Sequence, residues 1–405
     1  MFSKKQLKMY LKSENGSTTV FIGIILVALM TVSISLIILT REKVYDGKVD
    51  SISSLSARSV LSKYNKPLLD HYGIMSLNKF PDDIEKEFKF YMGENGIDIG
   101  NLTVDESNYL LFNIDVFEKE INDYYKNTLI KNLTDKSEDN GSASEDVSGN
   151  VLRNKTVIAM LPSKDTYNVS DIDKASLVDM LKSNNISRND KFLLGKFTSN
   201  EYALAIFTNH LNKKRETSFF KNEIEYILTG KFNDEDNYKS VRRKIFLARE
   251  IINAAEIIAI PELDAEVTAM ASLGGPFEPA VKATLVAVWA TFETSNDLKI
   301  LEHGGKIPIK KNKDSWATDI KSAVEGIDNG YIDNKAKVGL SYKDYLRILL
   351  ALKDKNLILY RMMDLIQINI QGYYDEEFLI KSSATGFAVN FSTNGRKYIY
   401  DEKYH

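Results

Sequence analysis

The feature that most constrains this chain is an apolar run close to its N-terminus. From Val20 to Leu39 there are twenty residues without a charge or a proline, and the polar side chains among them are Thr31, Ser33 and Ser35. At a rise of ~1.5 Å per residue, a helix of this length spans the hydrocarbon core of a bilayer. Because a backbone in lipid has to satisfy its hydrogen bonds internally, we predict a transmembrane helix within residues 16–40.

This run has two alternative interpretations. A buried core helix of a soluble protein is disfavoured, because such helices rarely stay apolar on every face over this length. A cleaved signal peptide also has a basic start and an apolar core. However, the run is longer than a usual signal core, and Val44-Tyr45-Asp46 is a poor cleavage site. We therefore predict an uncleaved membrane anchor formed by Val20, Phe21, Ile24, Leu26, Leu29, Leu36 and Leu39.

The charges on either side of the run predict its orientation. Four lysines precede it against one acid, Glu14, whereas the charges from Arg41 to Asp50 are nearly balanced. The positive-inside rule therefore places residues 1–15 in the cytoplasm and everything after Arg41 outside. We expect a single-pass protein of the cell membrane with an extracytoplasmic domain. Its cytoplasmic tail is too short for a signalling domain, which argues against a sensor.

Composition excludes several classes of function. The chain has no cysteine, so disulfides, thiol catalysis, thiolate zinc sites and cysteine-ligated iron–sulfur clusters are excluded. Its net charge is -3, which gives no basic field, and we expect no nucleic-acid partner. An exported protein without disulfides has to be held by its core, which fits a bacterial surface better than a eukaryotic secretory route.

Beyond the apolar run, the helix is predicted to continue as a stalk over residues 41–66. Apolar and small residues recur there on one face, and Asn65-Lys66-Pro67 is expected to end or bend the helix. One interpretation is an amphipathic helix that lies on the extracytoplasmic domain. The other is a stalk that packs against further copies or against pilin-like helices. The candidate helix-packing face consists of Tyr45, Val49, Ile52, Ser56, Val60 and Tyr64.

The start of the chain resembles a known family. A basic start, a glycine, an apolar helix and a polar helix with small residues follow one another over residues 12–64. The residues that carry this order are Gly16, Val20, Arg41, Asp50, Leu55 and Ala57. The order is similar to the N-terminus of TadE/TadG-like proteins, pseudopilin-like components of the tight-adherence (Tad) pilus machinery. The apolar run itself predicts contact with membrane lipid, and the resemblance implies that the N-terminal helix also contacts pilin-like or Tad assembly proteins.

One position departs from the pattern of prepilin-type helices. Those helices usually carry Glu five residues after the processing glycine, and this chain has Phe21 at that position. We therefore expect no prepilin-peptidase cleavage after Gly16.

Three further blocks resemble an uncharacterised family of anchored surface proteins that occurs beside Tad-type genes in Gram-positive bacteria. The blocks are YNKPLLDHYGIMSL from Tyr64, LGGPFEPA from Leu273 and RMMDLIQINI from Arg361. That family has no assigned activity, so this resemblance implies a cell-surface location near Tad-type machinery and does not imply a chemical reaction.

The rest of the sequence predicts an α+β fold that is rich in helix. We expect a small α+β region over 67–133, an acidic Ser/Gly-rich linker over 134–150 and a helix-rich α+β domain over 151–405. The linker has one sizeable apolar residue, Val147, so it cannot bury a core. An acidic calcium loop is the functional alternative for the linker, but the required D-x-D-x-D-G spacing is absent.

Periodicity predicts the individual elements. Predicted helices cover 82–91, 116–133, 177–181, 202–211, 236–259, 279–301 and 342–370, and Pro261 opens one more. Predicted strands cover 72–77, 109–114 and 223–228. A C-terminal hairpin is predicted from 386–390 and 397–400, which flank the turn dipeptide Asn394-Gly395.

Motifs for catalysis or metal binding are missing from the sequence. The four histidines, His71, His210, His303 and His405, lie far apart, and the chain has neither an H-E-x-x-H, a G-x-S-x-G nor a P-loop motif. Gly274-Gly275-Pro276 has the composition of an oxyanion turn, but a helix break is the favoured interpretation. The acidic pieces 171–173 and 234–236 lie where helices should start, and acids stabilise helix N-termini without catalysis. We predict no catalytic, metal or cofactor site.

Three hypotheses for function follow. The first is a non-enzymatic, membrane-anchored accessory component of a Tad-like pilus or secretion assembly. The second is an anchored surface adhesin or cell-wall-binding protein, and the third is an exported hydrolase of wall polymers, which would need convergent carboxylates. Because the N-terminal module points to assembly and no catalytic motif is visible, we favour the first.

Overall fold

The computed structural model describes residues 14–134, 160–165, 174–182, 198–327, 330–334, 336 and 338–404. The lysines of the predicted cytoplasmic tail, the predicted linker after Thr134 and the acidic piece 171–173 lie outside the described residues. Within the described ranges, the chain divides into two compact units built from interleaved segments.

Helices make up most of the described structure, which confirms the helix-rich α+β class. In chain order the helices are α1 (Glu14–Leu61), α2 (Lys66–Tyr72), α3 (Pro81–Glu94), α4 (Ile114–Thr134), α5 (Lys174–Lys182), α6 (Thr198–Ile206), α7 (Glu223–Thr229), α8 (Asp234–Ala259), α9 (Pro261–Ala271), α10 (Glu278–Glu302), α11 (Ile320–Glu325), α12 (Tyr342–Leu352) and α13 (Lys355–Tyr373). The strands are β1 (Leu77–Asn78), β2 (Gly100–Asp105), β3 (Ser383–Ala384), β4 (Gly386–Thr393) and β5 (Arg396–Lys403).

The apolar run and the predicted stalk form one helix, α1, that is not interrupted at Gly47. It ends at Leu61, a few residues before the predicted Asn65-Lys66-Pro67 break. The side chain of Asn65 caps the next helix by accepting a hydrogen bond of 2.9 Å from the amide of Leu68, and Pro67 lies in the first turn of α2. The proline therefore starts a new helix, where its missing N–H costs nothing.

The first unit comprises residues 1–63, 80–106 and 386–405. Its antiparallel sheet has the strand order β2-β4-β5. The predicted C-terminal hairpin is confirmed as β4 and β5. Asn394 and Gly395 both have positive φ, 48° and 74°, as a two-residue hairpin turn requires. Every second residue of β4 points into the core: Phe387, Val389 and Phe391 are buried.

The second half of α1 and helix α3 complete this first unit. Helix α1 contacts α3 and β5, and α3 contacts β2. Helix α3 confirms the helix predicted over 82–91. Buried apolar residues of the two helices form the core together with β4: Val49, Ala57, Val60, Ile84, Phe88 and Met92.

The second unit comprises residues 64–79 and 107–385. One large hydrophobic cluster joins α2, α4, α7, α8, α12 and α13, and a second cluster around Trp289 joins the C-terminal part of α8 to α9 and α10. A short pairing of β1 with β3 ties the beginning of this unit to its end. The predicted region 67–133 is divided between the two units. Residues 80–106 belong to the first unit, where β2 pairs with β4, and the residues on either side of them belong to the second unit.

The predicted strands at 72–77, 109–114 and 223–228 are wrong in most of their length. Residues 223–228 form helix α7, in which Glu223 and Glu225 are buried like the apolar residues between them, so the apparent alternation does not mark an exposed face. Gly73 has a φ of 68° and ends α2, which leaves Leu77 as the paired residue of the first segment. The second segment forms an isolated bridge from Leu110.

Two helix predictions need correction. The helix predicted over 342–370 is two helices, because the carboxylate of Asp354 caps α13 by accepting a hydrogen bond of 2.9 Å from the amide of Leu357. The helix predicted over 202–211 is α6, which ends at Ile206. Beyond it, the buried carboxylates of α7 accept hydrogen bonds from the amides of Thr208 and His210, at 2.8 and 3.0 Å. Strand β2 was not predicted, since most of its side chains are exposed.

Candidate functional site

The N-terminal half of α1 projects an apolar surface that no other described part of the chain covers. Its helix is long and apolar enough to cross a membrane, and none of the apolar window is buried. Each predicted anchor residue is 52–64% exposed: Val20, Phe21, Ile24, Leu26, Leu29, Leu36 and Leu39. A membrane anchor and a signal sequence both need such a helix.

Hydroxyl groups of Thr31 and Ser35 in this apolar segment, and of Thr40 just after it, are satisfied within the helix. Thr31 donates to the carbonyl of Ala28 and Ser35 donates to the carbonyl of Thr31, both at 2.8 Å. Thr40 makes the same kind of bond to Leu36. Because unsatisfied polar groups are costly in hydrocarbon, these bonds make the segment compatible with lipid.

The C-terminal half of α1 uses its predicted packing face within the first unit. Val49, Ser56 and Val60 are buried, and Tyr45 and Ile52 are partly buried. The predicted sixth member, Tyr64, is exposed and lies beyond the end of α1, so it does not belong to this face. The face therefore contacts α3 and the sheet, as the amphipathic-helix interpretation requires.

Polar contacts also join α1 to the C-terminal hairpin. The hydroxyl groups of Tyr45 and Thr393 are 3.0 Å apart. The carboxylate of Asp46 accepts from the hydroxyl of Tyr398 at 2.8 Å and from the guanidinium of Arg396 at 3.1 Å. The Tyr398 hydrogen bond, together with Arg396, holds the pKa of Asp46 below its ordinary value. The helix is thus attached to the sheet about two turns after its apolar segment ends at Leu39.

The histidines in the described structure have separate local partners. His71 bonds the hydroxyl of Tyr374 at 2.6 Å, His210 stacks on Tyr238 with ring centroids 3.6 Å apart, and His303 bonds the carbonyl of Lys299 at 2.7 Å. Within the described residues, no three histidine, aspartate or glutamate side chains are grouped so that they could hold a metal ion.

The other candidates from the sequence have structural roles. The carboxylate of Asp234 accepts from the amides of Lys221 and Asn222, both at 2.9 Å, and Asp236 lies in the first turn of α8. Gly275, with a φ of 52°, sits in the 3-10 turn Ser272–Phe277 between α9 and α10, as the helix-break interpretation predicts.

A buried charge cluster in the second unit was missed from the sequence. Arg249 and Asn253 of α8 face Glu293 and Asp297 of α10, and Lys311 enters the cluster from the segment that follows α10. The side chains of Lys311, Glu293 and Asp297 are fully buried. The i, i+4 spacing within each helix was a usable signal, because it puts polar pairs on faces that are otherwise apolar.

Every charge of this cluster has a partner. Lys311 Nζ contacts Asp297 Oδ1 at 2.6 Å and also contacts Glu293 Oε1. Asp297 Oδ2 accepts from Arg249 Nε at 3.2 Å and from Asn253 Nδ2 at 3.0 Å. Burial alone would raise the pKa of Asp297, but Lys311 and Arg249 outweigh burial and hold the pKa below its ordinary value.

Helix α7 carries a second set of buried acids. Glu223 pairs with Arg215 at 2.9 Å and accepts from the side-chain amide of Asn369 at 2.8 Å. Glu225 accepts from the hydroxyl of Tyr342 at 2.7 Å, and burial raises its pKa to about 7. Because these carboxylates hold the loop after α6, we interpret them as structural.

Comparison with known proteins gives a family but no activity. A family model described as a family of unknown function, DUF5702, matches residues 134–395, more than half of the 405-residue chain. The match includes none of α1 and covers most of the second unit. No curated protein matches the chain, and no solved structure matches it.

Proposed function

The chain belongs to the DUF5702 family, whose function is unknown, and we propose that it is a non-enzymatic, membrane-anchored accessory component of a Tad-like pilus or secretion assembly. In this proposal, α1 spans the membrane with the N-terminus in the cytoplasm, and the described units after α1 lie on the outer side.

One observation carries the proposal: the apolar segment and the core-forming segment belong to a single uninterrupted helix. The apolar segment is exposed along its length, whereas Val49 and Val60, farther along the same helix, are fully buried in the first unit. A helix of this kind connects the membrane to a folded unit without a flexible linker. Contacts made by α1 in the membrane would therefore fix the orientation of the first unit.

The surface that α1 offers in lipid supports a role in assembly. Between Val20 and Leu39 it carries no charge, so neighbouring helices can approach it through van der Waals packing alone. Phe21 replaces the glutamate of prepilin-type helices. An unpaired carboxylate in lipid costs about 2.5–3.5 kcal/mol on insertion scales, so its absence favours a helix that stays in the bilayer. We therefore propose an accessory component rather than a major filament subunit.

Site-specific photo-crosslinking in native cells tests this proposal. A photo-reactive phenylalanine analogue would replace Leu29, in the middle of the apolar segment, or Phe90, which is 60% exposed on α3. We expect the Leu29 probe to crosslink pilin-like or Tad assembly proteins and the Phe90 probe to leave them unlabelled. Deleting the gene should reduce the filaments or the exported cargo recovered from sheared cells.

A different pair of results would contradict assembly. If the Leu29 probe labels lipid only and the deletion leaves filaments and secretion intact, α1 serves as a simple tether. The anchored adhesin or wall-binding hypothesis would then replace the proposal, and binding of the purified chain to isolated cell walls would be the next measurement.

A further inference from the structure

The buried charge cluster between α8 and α10 places an amine against a carboxyl group in a site without solvent. Lys311 Nζ lies 2.6 Å from Asp297 Oδ1, and both side chains are fully buried. Glu293, also fully buried, contacts the same Nζ. The ring of Trp316 covers Nζ at 5.1 Å from its centroid, and Trp289 packs on Trp316.

We propose that Lys311 and Asp297 are joined by an intramolecular amide bond, and that Glu293 carries the protons during its formation. The site is thus a self-modification site. The inference is independent of the proposed role in assembly, because it concerns the second unit alone.

The reaction is a condensation that needs no further reagent. Glu293 takes a proton from the Lys311 ammonium and passes it to Oδ1 of Asp297, so that a free amine faces a neutral carboxylic acid. The amine attacks Cγ and a C–N bond forms. Glu293 then moves a second proton from Nζ to Oδ1, the Cγ–Oδ1 bond breaks, and one water leaves. The ammonium and the carboxylate become a neutral amide and a water, and no atom is oxidised or reduced.

The neighbouring donors are placed to support that attack. When Nζ adds to Cγ, negative charge develops on Asp297 Oδ2. This oxygen already accepts from Arg249 Nε at 3.2 Å and from Asn253 Nδ2 at 3.0 Å. Donors aimed at a developing oxyanion in a water-excluded site are an effective form of catalysis.

Hydrogen bonds from the segment after Lys311 hold the carboxyl group of Glu293 beside the amine. Its Oε2 accepts from the amide and the hydroxyl of Thr318 at 2.9 and 2.7 Å, and its Oε1 accepts from the amide of Ala317 at 3.1 Å. These bonds leave Oε1 in contact with Nζ of Lys311, so Glu293 can take up and release the protons of the amine, and it can bond the new amide N–H.

Burial favours the product over the ion pair. The cluster of Arg249, Lys311, Glu293 and Asp297 contains four buried charges, and the amide removes two of them. Desolvating charges is costly even when they are paired. Holding the amine against the carboxyl group also replaces a bimolecular reaction by an intramolecular one, which raises its effective concentration greatly.

The bond would give this chain an intramolecular covalent crosslink that does not depend on cysteine. The chain has no cysteine, so disulfides are not an option for it. The bond would tie α10 to the segment that leads from it to the 3-10 turn Lys313–Ser315.

Mass spectrometry of the purified full chain under denaturing conditions tests the proposal. We expect the intact mass to be lower by one water than the sequence requires, and tryptic digestion to yield peptide 283–299 joined to Lys311. Glu293→Gln and Lys311→Arg should restore the full mass. Lys313→Arg, which removes a surface lysine paired with Glu266, should keep the deficit.

The peptide map of the natural chain, without substitutions, tests the proposal even if a variant fails to fold. Full mass together with linear peptides around Asp297 and Lys311 would show an ion pair only and would overturn the proposal. Fragmentation that places the bond on Glu293 would overturn the assignment of Asp297 as the acyl donor.

Discussion

Tyr398 donates a hydrogen bond of 2.8 Å to Asp46, a residue that lies 352 positions earlier in the chain. Asp46 lies seven residues after Leu39, where the apolar run of α1 ends, and Tyr398 lies in the last strand, β5. The first unit is therefore closed by segments from both ends of the described chain. Residues 107–385 therefore have to be synthesised before the sheet of the first unit can form.

The core of the first unit depends on one aromatic residue of α3. Phe88 is fully buried, with its ring 5.8 Å from that of Phe391, so Phe88→Ala should destabilise the unit by about 3–5 kcal/mol. Phe90 lies two positions away and is exposed, so Phe90→Ala is the matched control. Hydrogen exchange of β4 amides in the detergent-solubilised chain measures the difference. Equal exchange in the two variants would mean that α3 does not form this core.

The orientation of α1 can be measured with single cysteines, because the natural chain contains none. Ser51 lies on the exposed side of α1 beyond the apolar segment. We expect a membrane-impermeant maleimide to label Ser51→Cys in intact protoplasts and Ser3→Cys after lysis only, since the positive-inside rule places the tail in the cytoplasm. The reverse pattern would show that the predicted topology is inverted.

The N-terminus should retain its basic tail. Because Phe21 occupies the place of the usual glutamate, we expect no cleavage after Gly16 and no abundant subunit in sheared filaments. Mass measurement of the N-terminal peptide from purified membranes tests the first point, and fractionation of sheared surface material tests the second. A mature chain that begins at Ser17 and is abundant in the sheared fraction would make this protein a filament subunit.

The stability of the second unit should depend on pH through Glu225. Burial raises its pKa from an ordinary 4.5 to about 7, so the folded state binds the proton more tightly than the unfolded state. The proton on Glu225 therefore stabilises the folded state fully when the pH is below 4.5, the pKa in the unfolded chain. This stabilisation is lost as the pH rises to about 7, the pKa in the folded chain, at about 1.4 kcal/mol per pH unit.

Substitution isolates this effect from those of the other acids. Relative to the natural chain, Glu225→Gln should gain stability between pH 5 and pH 7, whereas Glu235→Gln, at an exposed position paired with Lys239, should not. Urea unfolding at several pH values, followed by the fluorescence of the tryptophans, measures both. A flat difference for Glu225→Gln would show that this carboxyl group titrates normally.

Variants at the histidines should leave function intact. His71, His210 and His303 have separate local partners, and Asp236 lies in the first turn of α8, so we expect Ala at each histidine or Asn at Asp236 to preserve filament or secretion phenotypes. Quantitative immunoblots would establish equal protein levels. Complete loss of phenotype from one of them, with the fold and level unchanged, would support the hydrolase hypothesis.

Local patterns were sufficient for much of the secondary structure. Asn394-Gly395 between alternating segments predicted the hairpin correctly, and helical periodicity placed α8 and α10 to within two residues at each end. Such patterns mispredict an element when polar residues in it are buried, because the prediction assumes that polar residues face solvent. The acids of α7 are as buried as its isoleucines, so their alternation predicted a strand that does not exist.

The sequence by itself determined the apolar helix, the helix-rich class and the turn that makes the hairpin, because each depends on residues that are neighbours along one element. Only the tertiary structure decided that α3, β2 and the hairpin close on α1, and that Lys311 meets Asp297 and Glu293. Those contacts depend on which polar groups are buried together. Periodicity within one element carries no information about a partner in another, and it cannot show whether a charge lies in water or in the core.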